Sequence, residues 1–130
     1  MKRYVVEEHS AIVRRLLRAG DAATSRLSEA EVASALVRRW REGALTAGER
    51  DRALAALARD LERIDVVEIL PEVSRRTLSL LVRHRLRAGD ALQLSACLHL
   101  RENAGLPVEL VAFDERLLAA ATAERLAVLP

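Results

Sequence analysis

The sequence predicts an α/β domain, in which helices alternate with short β-branched runs. Three observations predict it: capped stretches of helical period, strand-like runs between them, and no two-residue hairpin turn joining any pair of runs. Strands joined only through helices argue for a mostly parallel sheet with helices on both faces. At 130 residues the chain is expected to be one domain, long enough to bury about two-thirds of its unfolded surface.

The elements follow in order. Residues 9–19 fit a helix with Ser10 as N-cap and Gly20 as its stop. Residues 21–25 are a short strand candidate. Ser28 opens a helix to about Glu42, with Val32, Leu36 and Trp40 on one stripe. Residues 46–63 form another amphipathic helix, with Leu54, Leu57 and Leu61 on one face. The run 64–69, IDVVEI, is the clearest strand. Pro71 suits the first turn of a helix reaching about His84. Residues 90–103 are helical and carry ten consecutive uncharged residues, Ala91 to Leu100, which implies central burial. Residues 108–113 form a strand, 114–123 a short helix and 126–129 a last strand.

Composition excludes several classes. With 51% hydrophobic and 31% charged residues the chain is neither disordered nor membrane-embedded. The ten-residue uncharged run is half the roughly 20 residues a spanning helix needs. No secretory pattern opens the chain, and one cysteine allows no internal disulfide, so the expected location is cytoplasmic. Three aromatics (Tyr4, Trp40, Phe113) are too few for a base-stacking surface. The three histidines show no zinc-ligand spacing, and Cys97 lies within the apolar helix as a small core residue.

Three acids stand where helices begin. Glu31 lies in the first turn after the strand 21–25, Asp90 opens the most apolar helix, and Asp114 directly follows the strand 108–113. Ligand sites in open α/β sheets gather at such strand-to-helix junctions. Carboxylates without a Cys/His set suit Mg²⁺ or Mn²⁺ better than zinc. A purely structural role is open for each acid. Ser28-Glu29-Ala30-Glu31 has the form of a capping box, and Asp90 and Asp114 both suit N-caps. Arginines crowd one stretch: Arg75, Arg76, Arg83, Arg85 and Arg87 lie between Glu72 and Gly89 with no acid among them. Arg83, Arg85 and Arg87 immediately precede Asp90 and could grip RNA phosphate, although a solvated helix face would look the same.

Three phrases resemble the PIN domain, specifically VapC-type toxin ribonucleases. DAATSRLSEAEVASALVRR (21–39) is similar to the family's T-S-x-L-x-x-x-E-V block, which puts its acid on Glu31. LRAGDALQLSACLHL (86–100) resembles L-x-x-x-D-A-L-H-L-A, giving Asp90, with Gln93 where the family often has His. LVAFDERLLAAA (110–121) resembles the phrase carrying Asp114, with Ala112 in place of a frequent hydroxyl. The resemblance implies a PIN-like three-layer fold and endonucleolytic hydrolysis of RNA. Asp90 and Asp114 would ligate Mg²⁺ (or Mn²⁺), and Glu31 would ligate directly or orient a water. It also implies a homodimer inhibited by a cognate antitoxin protein, with no membrane role.

The family's opening strand, which ends in a metal-binding aspartate, has no clear counterpart. Either Glu8 stands in for that aspartate, or KRYVVEE (2–8) matches the end of the family's first helix, which spacing favours. In that register the single domain 1–130 is truncated at its N-terminus, the first family strand being absent or replaced by residues 2–7. A non-catalytic PIN-like module that binds RNA or protein is therefore the alternative to an active nuclease.

Overall fold

The computed structural model describes residues 22–105 and 107–129. The expectations for Glu8, for residues 2–7 and for the helix 9–19 lie outside the described residues. The chain divides into two compact units, Met1–Val66 and Val67–Pro130.

In the first unit β1 (Ala23–Ser25) leads into α1 (Leu27–Arg41), and α2 (Ala47–Leu61) packs against α1 before β2 (Asp65–Val67) pairs with β1. The amide of Asp65 donates to the Ala22 carbonyl at 3.1 Å. The capping box expected at Ser28 does not form. The N-cap of α1 is Arg26, with no side-chain cap bond, and the Leu27 amide donates to Ser25 Oγ at 3.1 Å. Ser28 Oγ instead pairs with Thr24 Oγ1 at 2.6 Å, which takes the hydroxyl back toward the strand. A complete box forms at the next helix, where Thr46 Oγ1 accepts from the Glu49 amide (3.1 Å) and Glu49 Oε1 accepts from the Thr46 amide (3.0 Å). Leu36 and Leu57 are buried, and the Arg50 guanidinium lies 4.2 Å from the centre of the half-buried Trp40 ring, tying α1 to α2.

The second unit contains α3 (Pro71–Arg83), α4 (Ala88–Ala104), β3 (Glu109–Val111), α5 (Glu115–Ala123) and β4 (Ala127–Leu129). Val73, Thr77 and Leu80, at i, i+4 and i+7, give α3 a buried stripe. Ala91, Leu94, Ser95 and Leu98 do the same for α4, and Ala96, off that stripe, is buried as well, as expected of so apolar a helix. Ser95 Oγ donates to the Val73 carbonyl at 2.6 Å, and Arg76 reaches both oxygens of Glu102 at 2.6 and 2.7 Å. Leu80, Leu94, Leu98, Leu117 and Leu126 form the centre of the core with four alanines.

β3 and β4 pair in parallel, Glu109 opposite Ala127 and Val111 opposite Leu129, with α5 as the crossover. The described strands thus make two two-stranded sheets, each strand three residues long, where longer runs such as 64–69 and 108–113 were expected. The residues flanking Asp65–Val67 explain part of the shortening: Leu70 turns back to the Glu68 carbonyl, and Pro71 starts α3. The α/β class holds. Among the described residues, no helix is long and apolar enough to cross a membrane.

Candidate functional site

The second unit carries a cleft of about 430 Å³ lined by Arg85, Leu86, Arg87, Asp90, Asp114 and Arg116. Two segments build it. The first is the connection from α3 into α4. His84 caps α3 in extended conformation, the Leu86 amide turns back to the His84 carbonyl at 3.0 Å, and Arg87 is the N-cap of α4. Because Ala88 and Gly89 are already helical, Asp90 is the third residue of α4 rather than its cap. Its half-buried carboxylate therefore lines the cleft without serving as the N-cap.

The second segment runs from the end of β3 into α5. Asp114 is a true N-cap: its Oδ1 accepts from the Leu117 amide at 2.9 Å. That bond occupies one of about four lone-pair sites on a carboxylate, so capping and a place in the cleft are compatible. Asp114 follows the carboxyl end of a parallel strand, where open α/β sheets collect ligands.

The structure thus brings two of the three expected acids into one cleft and puts Glu31, exposed on α1, in the other unit. Among the described residues no three His, Cys, Asp or Glu side chains gather as a metal cage. Of the expected arginines, Arg85 and Arg87 line the cleft, whereas Arg83 does not. Its guanidinium spans both oxygens of Glu124, at 3.1 and 2.9 Å, and donates to Ser79 Oγ at 2.6 Å. His84 Nε2 lies 2.7 Å from the same carboxylate. With the His84 contact first and Arg83 second, Glu124 is held below the usual carboxylate range. Arg116 lines the cleft although no sequence pattern singled it out. The available signal was its spacing, two residues past Asp114 in the first turn of α5.

The profile of the PIN domain matches residues 5–123, most of the chain and all three acids. The chain belongs to the PIN domain family. No curated protein matches it. PIN domains are commonly nucleases and generally bind divalent metals. The donor chemistry of this PIN domain's cleft fits that property. Its ligating groups are carboxylate oxygens, no sulfur or imidazole lines it, and hard cations such as Mg²⁺ are held by one or two carboxylates plus substrate phosphates.

Proposed function

We propose that this PIN domain is a Mg²⁺- or Mn²⁺-dependent endoribonuclease of the VapC toxin type. The observation that carries this reading is the convergence of Asp90 and Asp114 on one cleft beside Arg85 and Arg87. Asp90 and Asp114 would hold the cation. A bound divalent ion supplies Lewis-acid stabilisation of the phosphoryl oxygens and activation of water. Arg85 and Arg87 orient the RNA backbone, because a guanidinium fork matches phosphate geometry in two hydrogen bonds. Asp114, fixed by its cap bond, enters the reaction without having to find its rotamer, which favours a preorganised site. A cytoplasmic homodimer held inactive by an antitoxin completes the reading.

One observation favours a second reading, a non-catalytic PIN module that binds RNA: the cleft shows two carboxylates among the described residues. Incubation of RNA with the protein, with and without Mn²⁺, separates them. The nuclease cleaves only with metal, and Asp90→Asn abolishes cleavage. The binding module retains RNA and cleaves in neither condition.

A further inference from the structure

The cleft holds a third guanidinium beyond the two that the nuclease reading uses. Arg85 and Arg87 come from the connection into α4, and Arg116 comes from the first turn of α5, so the basic groups belong to two separate segments. None of the three has an ion-pair partner among the described residues. Their neighbours do: Arg76 is taken by Glu102 and Arg83 by Glu124. A cation in the first turn of a helix opposes the helix dipole, so local stability does not explain Arg116. Among the described residues, three guanidinium groups and two carboxylates line the cleft, an excess of positive charge. Such a cleft attracts a polyanion unaided, while the same arginines oppose a divalent cation approaching Asp90 and Asp114. A phosphate seated among them adds negative charge and reverses that opposition.

We propose that Arg116 completes a three-arginine phosphate grip with Arg85 and Arg87, and that the grip makes divalent-cation binding depend on a seated nucleic-acid phosphate. The coupling and the identity of the polyanion rest on the nuclease reading, which supplies the cation at Asp90 and Asp114; the grip does not. Linkage requires the coupling to be reciprocal, so the cation tightens phosphate binding by the factor by which phosphate tightens the cation.

The test uses the whole chain in EDTA with a fluorescein-labelled single-stranded RNA, its dissociation constant followed by anisotropy over a salt series. Each phosphate contact on a single strand contributes about 0.7 to the slope of log affinity against log salt. Arg116→Gln lowers the slope by about 0.7, as do Arg85→Gln and Arg87→Gln, while Arg116→Lys retains it. Arg75→Gln, an exposed arginine outside the cleft, leaves it unchanged. A thermal melt of each variant verifies folding, and Arg116→Ala, the best helix former at that position, must lower the slope by the same amount if the glutamine variant is unstable.

Mg²⁺ is then titrated by calorimetry with and without a nucleoside bisphosphate, corrected for chelation by the nucleotide. The parent's Mg²⁺ midpoint falls when the nucleotide is present. In Arg116→Gln the midpoint without nucleotide is lower than in the parent, and the nucleotide shifts it less. An unchanged salt slope in Arg116→Gln, or equal midpoints with and without nucleotide, overturns the proposal. Binding as described without RNA cleavage leaves the grip standing and removes the nuclease reading. Cleavage with an unchanged slope does the reverse.

Discussion

Asp114 carries two roles that substitution can separate. Its Oδ1 caps α5 through the Leu117 amide at 2.9 Å, and its carboxylate lines the cleft. Asparagine keeps an amide oxygen in the cap and ranks with aspartate as an N-cap, so Asp114→Asn forfeits only the charge at the helix N-terminus. For an exposed residue that is about 0.5 kcal/mol. Alanine forfeits the cap bond as well, for a total of about 1.5 kcal/mol. At this chain length the alanine loss lowers the melting temperature by about 4–7 °C and the asparagine loss by about 1–2 °C. A cation at tenfold its dissociation constant stabilises the parent by about 1.4 kcal/mol, a rise of similar size. Thermal melts in EDTA and in Mn²⁺ read both effects. The parent gains stability with Mn²⁺, both variants lose that gain, and only alanine melts markedly earlier in EDTA. If Asp114→Asn keeps the full Mn²⁺ gain, Asp114 caps the helix and does not hold metal, and the reasoning fails.

Three further outcomes are expected. Glu124→Gln destabilises the fold by about 1 kcal/mol near neutrality, since Arg83 is half exposed. Because His84 and Arg83 depress the Glu124 pKa, its stabilisation is present above the unfolded value of about 4.3 and is lost as pH falls through the folded one. Melts from neutral to acid pH therefore show parent and variant converging, and a gap that widens toward acid would refute the assignment. Ser95→Ala removes a fully buried bond between α3 and α4, yet the Val73 carbonyl keeps Thr77 Oγ1 at 2.9 Å. Urea unfolding should show a loss of about 1 kcal/mol, and a loss of several would mean the carbonyl is orphaned after all. Burial pushes the Cys97 thiol up to about 11, so only about one thiol in a thousand is ionised at pH 8. Thiol reagents should label the native protein slowly and the denatured protein quickly, and prompt native labelling would contradict that burial.

Elements set by local chemistry were legible in the sequence. Pro71 opened α3 as expected. Helix starts set by competition were not. Ser28 satisfied every pattern of a capping box, but the nearby Thr24 hydroxyl captured it, while the box at Thr46 and Glu49 passed unremarked. Asp90 looked like a cap, but α4 begins two residues earlier than it, at Ala88, and that extension carries its carboxylate into the cleft wall. In the site, Arg85, Arg87 and Asp90 were visible because adjacency in sequence places them together, and Asp114 because it stands where a strand gives way to a helix. Arg83 matched the same pattern, and its diversion depends on Glu124, 41 residues away, a partner that no local rule reveals. Arg116 was missed for the opposite reason: one arginine behind two acids resembles an ordinary exposed helix turn.

Whether the cleft is a metal-dependent nuclease is decided by cleavage of a single-stranded RNA by the parent chain and by Asp90→Asn, each in EDTA and in Mn²⁺. Fragments are expected only for the parent with Mn²⁺. Equal cleavage by Asp90→Asn, or cleavage by the parent in EDTA, would contradict that expectation.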